Sequence, residues 1–233
     1  GKAPRGQFHQ MRPDDLAATV IRGVLANTGI DPARIEDVIL GCAFPEGEQG
    51  MNVARIAALR AGLPVAVPAM TINRFCSSGL QAIALAAERV MAGNADCIIA
   101  GGTESMSMVP MGGNKYSANP HLVDDWPEAY AAMGITAELV VERQHISRED
   151  QDAFACASHH KAARAQAEGR FKDEIIPVEV KTSRLVDGHP EFQVMTTSED
   201  EGIRPEATAE SLGKLRALMK GGVVTAGNAS QQN

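Results

Sequence analysis

The sequence predicts a layered α/β fold built on a parallel sheet. Three observations carry that expectation: amphipathic helical stretches alternate with short β-branched apolar runs over the first hundred positions, glycines stop the helices, and a strand–helix–strand unit empties into Gly101-Gly102-Thr103. Of its 233 residues 44% are hydrophobic and 22% charged, a balance that excludes a disordered or collagen-like chain. A net charge of −7 without a long run of like charge argues against a nucleic-acid-tracking surface.

The elements follow in order. Arg12-Pro13-Asp14-Asp15, followed by Leu16, Val20, Val24 and Leu25, puts acids in a first helical turn and apolar residues at helical spacing, with Gly29 as the stop. Val38-Ile39-Leu40 before Gly41 reads as a buried strand, and Asn52 to Arg60 as a helix closed by Gly62 and Pro64. Val65 to Ile72 is then expected as strand, Ser77 to Met91 as helix ending at Gly93, and Cys97 to Ala100 as strand. Because Ala82, Ala84, Ala86 and Ala87 leave that helix without a broad polar face, it is expected to be buried among other elements. The Gly101-Gly102-Thr103 turn belongs at the carboxyl edge of a parallel sheet, where open α/β folds place their sites.

From about Met106 the alternation stops, and Met106, Met108 and Met111 lead into a polar stretch. Ser147-Arg148-Glu149-Asp150 resembles a capping box and starts a long helix to Gly169; Ile175 to Val180, carrying Pro177, reads as an edge strand. Val223 to Asn233 reads as a strand entering a turn. The division expected is 1–107 as a core unit, 108–220 as an inserted α+β domain, and 221–233 as the start of a return to the core. A start without Met and an element left unfinished at Asn233 lead to the expectation of a chain cut at both ends.

No apolar run approaches the 18 or so residues of a bilayer span, and no secretion signal is written, so a cytoplasmic location is expected. Cys42, Cys76, Cys97 and Cys156 are too widely spaced for a disulfide-dense framework or a C-x₂-C metal pair, which predicts free thiols and no metal.

Cys76 falls between the predicted strand ending at Ile72 and the helix beginning near Ser77. A thiol there meets the unpaired amides and the positive end of the helix dipole, which favour a thiolate nucleophile, and the small Ser77, Ser78 and Gly79 leave room for a carbonyl to approach. Taken alone, a Cys in an Ala-rich region is more often a small buried hydrophobe.

The string Thr71-Ile72-Asn73-Arg74-Phe75-Cys76-Ser77-Ser78-Gly79-Leu80-Gln81-Ala82-Ile83 resembles the nucleophile segment of thiolases, in particular degradative 3-ketoacyl-CoA thiolases. Gly101 to Pro110 resembles the family's core-to-loop crossing and Met133-Gly134-Ile135-Thr136-Ala137-Glu138 its CoA-side loop; Ser147 to Phe154, Gly169 to Pro177, Lys214-Leu215-Arg216 and Val224 to Ser230 follow in family order. The resemblance implies a layered αβαβα fold, of which this chain holds the N-terminal core half and an inserted loop domain, the first strand and C-terminal half lying outside it. It implies thiolytic cleavage of 3-ketoacyl-CoA, or the reverse Claisen condensation, through an acyl-Cys76 intermediate. CoA is then a substrate, no metal or redox cofactor is needed, and the complete protein is a homodimer or homotetramer paired near Glu46 to Arg55.

The family's remaining groups are a Gly-His-Pro histidine, a second Cys in a Cys-x-Gly-Gly segment and an Asn-Glu-Ala-Phe segment. They are expected in a C-terminal half beginning after Asn233, so these residues on their own should be inactive. None of His9, His121, His145, His159, His160 and His189 is read as the base; His159 and His160 are expected on a solvated helix face, and Cys42, Cys97 and Cys156 as packing residues. Met133 and Arg216 match segments that border CoA: an Arg suits a phosphate, yet either could equally be ordinary packing or surface. Three other readings stay open: an acetoacetyl-CoA-specific acetyl-CoA acetyltransferase, a ketoacyl-synthase-like condensing enzyme, and a non-catalytic lipid-binding or structural subunit.

Overall fold

The computed structural model describes residues 1–232. They form two compact units, Gly1–Lys115 with Ile176–Glu199, and Tyr116–Ile175 with Asp200–Gln232. This partition differs from 1–107, 108–220 and 221–233: the first unit runs on to Lys115 and takes in 176–199, while 221–232 falls in the second.

In the first unit, α1 (Pro13–Thr28) starts at a proline that needs no helical N–H and stops where Gly29 turns left-handed, at φ 66°, and donates back to Leu25 O. Strand β1 (Asp37–Gly41) is buried along its length. Helix α2 (Val53–Ala61) is capped by Asn52, whose side chain accepts from Arg55 N, and by Gly62 at φ 90°. Strand β2 (Ala69–Ile72), helix α3 (Ser78–Met91) and strand β3 (Ile98–Gly102) complete a three-stranded parallel sheet of order β2-β1-β3. Ile39 pairs with Met70 on one side and Ala100 on the other.

Alternation along β1 builds the layers. Val38 and Leu40 pack with Ala17 and Ile21 of α1 and Ala54, Ala57 and Ala58 of α2; Ile39 packs with Ala82 and Ala86 of α3 on the opposite face. The predicted layered α/β arrangement is thus present, with alanines letting the helices lie close to the sheet.

Two expectations here need correction. The 65–72 stretch is strand only from Ala69, because Val67 N closes a turn onto Pro64 O and Pro68 has no N–H for the ladder. Helix α3 is buried on one face only: Leu80, Ile83 and Met91 are exposed, since the described residues provide a layer on the sheet side alone.

The 176–199 segment is a hairpin of β4 (Val178–Val186) and β5 (His189–Thr197), longer than the single edge strand expected. Asp187 and Gly188 make its two-residue turn with φ of 50° and 79°, the Asp-Gly signature of a type I′ turn. Val178 and Val180 are buried, and Ser183 N donates to Gln10 Oε1, which accounts for the hairpin's membership of the first unit.

The second unit holds the short helix α4 (Pro120–Asp125), α5 (Met133–Gln144), α6 (Arg148–Ala167) and α7 (Ala209–Gly213). Ser147 caps α6 by accepting from Asp150 N, as the sequence predicts. Arg148 pairs with the buried Asp152 at 2.7 Å and donates to Leu212 O and Leu215 O, while Asp152 also accepts from Asn228 Nδ2. The strand expected from Val223 is absent. Thr225 makes only an isolated bridge to Ala217, because Thr225 N donates to Asn228 Oδ1 while Gly227 N donates back to Thr225 Oγ1, closing a turn.

One close approach orders the sheet's carboxyl edge. A Cβ on Gly41 would fall 2.4 Å from the Ser78 carbonyl carbon and 2.7 Å from Gly79 N, so only glycine lets the first turn of α3 rest on the end of β1. Gly41→Ala must push α3 off the sheet, and calorimetry should show a loss of about 1–3 kcal/mol, the usual cost of overpacking. Unchanged melting would mean the contact is slack.

Candidate active site

The loops leaving β1, β2 and β3 meet at that edge through one polar hub. The Glu104 carboxylate accepts from Ala43 N at 2.5 Å, from Gln49 Nε2, and from the Cys42 thiol at 3.7 Å. Gln49, fully buried, also donates to Phe44 O and accepts from Ser105 N. These bonds satisfy polar groups that burial would otherwise penalise, and they tie the loops after β1 and β3 together. The loop after β2 joins through Asn73, whose Nδ2 donates to Ala43 O at 2.8 Å.

Beyond Asn73 the chain makes the tight turn that presents Cys76. Phe75 adopts φ 46°, a left-handed conformation costing a residue with a Cβ on the order of 1–3 kcal/mol unless its surroundings impose it. Here Phe75 N donates to Asn73 Oδ1 at 2.8 Å, Phe75 O accepts from the buried Ser78 hydroxyl at 2.6 Å, and Arg74 N donates to that hydroxyl at 2.9 Å. The Phe44 and Phe75 rings lie 6.0 Å apart. Cys76 then sits in a 3₁₀ turn, Phe75–Ser77, that runs directly into α3, and it is the exposed cysteine of the four. Its place between strand and helix is the one expected from sequence.

The other thiols are less accessible. Cys42 is buried, and burial, followed by the nearby Glu104 charge, pushes its thiol up to about 12. Cys97 is half-buried, and Cys156 on α6 donates to Ala207 O at 3.2 Å. His159 and His160 do more than face solvent: His159 Nδ1 accepts from Arg204 N at 3.3 Å and the His160 ring bonds to Ala207 O at 2.9 Å, so both hold the 204–207 segment onto α6.

The tripeptide Gly188-His189-Pro190 spells, inside the chain, the motif the resemblance assigns to a catalytic base. It forms the hairpin turn and the start of β5, with Gly188 serving the positive φ and His189 exposed. Turn geometry accounts for it.

Met133 opens α5, 66% exposed, and Arg216 follows α7 as an exposed side chain. Both belong to the second unit and Cys76 to the first. Within the second unit, Glu138 of α5 accepts from Val223 N and Val224 N, joining the helix that begins at Met133 to the stretch bridged by Ala217 and Thr225 next to Arg216. Among the described residues no cluster of His, Cys, Asp and Glu could hold a metal ion, and no helix is long and apolar enough to cross a membrane. Sequence reading missed Asn73, Gln49 and Glu104 as supports, because a lone amide or carboxylate in a glycine-rich loop has no spacing signature.

Residues 1–233 match the family model described as thiolase, N-terminal domain. The 3-ketoacyl-CoA thiolase of Bacillus subtilis (strain 168) is 52% identical over 99% of this chain and 60% of its own length. The peroxisomal 3-ketoacyl-CoA thiolase 1 of Arabidopsis thaliana is 44% identical over 99% of this chain and 52% of its own. The crystal structure of the Bacillus anthracis acetyl-CoA acetyltransferase superposes with a TM-score of 0.84 at 35% identity, over 99% of this chain and 59% of that one. The chain thus spans 52–60% of the length of these relatives.

Accessibility orders the thiols. Iodoacetamide at neutral pH should modify Cys76 first and Cys42 last, read by peptide mass spectrometry; faster labelling of Cys42 would contradict the geometry. The raised Cys42 value also fixes a sign. With the folded thiol above its ordinary 9.0, its protonated form supports folding fully below about 9 and loses that contribution as pH rises toward 12. Melting temperature should therefore fall on alkalinisation, and less steeply in Cys42→Ala.

Proposed function

The chain belongs to the thiolase family, matching its N-terminal domain from residue 1 to 233, and from that membership we propose that Cys76 is the acyl-accepting nucleophile of an acyltransferase acting on 3-ketoacyl-CoA. The observation that carries the reading is an exposed thiol at the start of α3, on the carboxyl edge of the parallel sheet, in the segment that resembles the family's nucleophile. In thiolysis the Cys76 thiolate attacks the 3-keto carbon, the bond between C2 and C3 breaks, and the departing acetyl-CoA enolate takes up a proton. The shortened acyl group rests on Cys76 as a thioester. A CoA thiol gives up its proton and attacks that carbonyl, acyl-CoA leaves, and the Cys76 thiolate returns. The proton-transfer groups are those the family resemblance assigns to a C-terminal half, and the same steps reversed give Claisen condensation.

CoA is the substrate in this reading, and no metal or redox cofactor takes part. Met133 and Arg216 contact it: the exposed guanidinium offers a planar donor fork to a phosphate, and the exposed thioether an apolar surface to the pantetheine arm. The printed names of its curated relatives, 3-ketoacyl-CoA thiolases at 52% and 44% identity, support the degradative, fatty-acid-shortening subtype. This reading includes pairing of complete molecules near Glu46 to Arg55, where Met51 is exposed.

Incubated with 3-ketoacyl-CoA, residues 1–233 on their own should show at most a slow acyl adduct on Cys76 without multiple turnover, because an absent general base removes about 10²–10⁴-fold. The adduct must vanish in Cys76→Ala. Its persistence there, or sustained turnover by these residues, would sink the assignment. Arg216→Ala should weaken CoA binding in calorimetry about three- to tenfold, as expected for one phosphate contact near solvent; an unchanged affinity would remove Arg216 from the site.

A further inference from the structure

We propose that Asn73 is the positioning residue for Cys76, holding the strained residue before the nucleophile and fixing it to all three strand ends of the sheet. The inference rests on the reading of Cys76 as acyl acceptor. Asn73 follows β2 directly, and its two amide atoms work in opposite directions. Oδ1 accepts from Phe75 N and Nδ2 donates to Ala43 O, each at 2.8 Å. Ala43 in turn donates its own N–H to Glu104, beyond β3. A short side chain bearing one acceptor and one donor can bridge these groups simultaneously; Asp keeps only the acceptor and Leu keeps neither.

What the bridge holds is the left-handed Phe75. Without a partner for its N–H, that residue relaxes toward the ordinary regions of backbone space, and the Cys76 thiol moves with it. Ser78 holds the carbonyl side of the same residue, but it also packs against Gly41, so its replacement would disturb the helix–strand contact as well. Asn73 is exposed and touches no such contact, which makes it the separable half of the clamp. Acyl transfer demands a thiol placed within a fraction of an ångström, whereas alkylation by a small mobile reagent demands only access. Loss of positioning therefore separates the two reactions.

The test compares Asn73→Leu, Asn73→Asp and the unsubstituted full-length protein, with Cys76→Ala as reference. Acylation of Cys76 by 3-ketoacyl-CoA and alkylation by iodoacetamide are both followed by mass spectrometry, and melting temperature is recorded. Asn73→Leu should slow acylation at least tenfold while alkylation stays within about threefold and melting is nearly unchanged; Asn73→Asp, keeping the acceptor for Phe75 N, should recover much of the rate. Normal acylation in Asn73→Leu would overturn the positioning role alone. A parallel fall of acylation, alkylation and melting, or an Asn73→Asp no better than Leu, would make the residue merely structural and overturn it too. No adduct on Cys76 in the unsubstituted protein would overturn the nucleophile assignment, and the positioning role with it.

Discussion

The contact between the end of β1 and the first turn of α3 is the constraint on which the rest of the first unit depends. Because Gly41 has no Cβ, the Ser78 and Gly79 backbone can settle directly over the strand, and a Gly102 Cβ would lie only 3.0 Å from Gly41 O beside it. Small residues at the carboxyl edge thus bring a helix start, two strand ends and their loops within hydrogen-bonding reach. The layers behind follow from this: Ile39 meets Ala82 and Ala86 because α3 is seated that low, and Val38 and Leu40 turn to α1 and α2 on the other face.

The same edge gives two cysteines opposite fates. Cys42 follows β1 directly, against Glu104, where burial and that neighbouring negative charge disfavour ionisation. Cys76, in the turn after β2, is exposed and follows the left-handed Phe75. One polar network serves both ends, since Ala43 donates to Glu104 and accepts from Asn73. The energy stored in one strained backbone conformation is of the size that two or three good hydrogen bonds offset.

In the second unit an ion pair between a partly buried arginine and a buried aspartate does the organising. Arg148 and Asp152 sit one helical turn apart on α6, and between them they engage Leu212 O, Leu215 O and Asn228. Loss of Arg148 would leave the buried Asp152 carboxylate with Asn228 as its remaining side-chain partner, a destabilising change. Glu138 anchors the 223–224 amides in the same manner, so the segment carrying Arg216 is fixed by side-chain-to-backbone bonds where regular strand is missing.

What the sequence by itself determined are the features governed by local rules. Helix starts and stops at Pro13, Gly29, Asn52, Gly62 and Ser147 follow from capping and backbone freedom, and the buried β1 follows from a run of β-branched residues. The family string around Cys76 was legible too, as was the thiol's place between strand and helix. Tertiary structure alone decided the rest, because partners far apart in the chain set it. The Asp187-Gly188 turn was written locally, yet the hairpin's attachment to the first unit depends on Gln10 and the burial of Val178 and Val180. Val223 onward looked like strand by composition, but Asn228 and Thr225 closed it into a turn. The hub of Glu104, Gln49 and Asn73 leaves no mark on sequence periodicity. Its members are joined by hydrogen bonds spanning up to 62 positions, and only a sheet that brings three strand ends together supplies them.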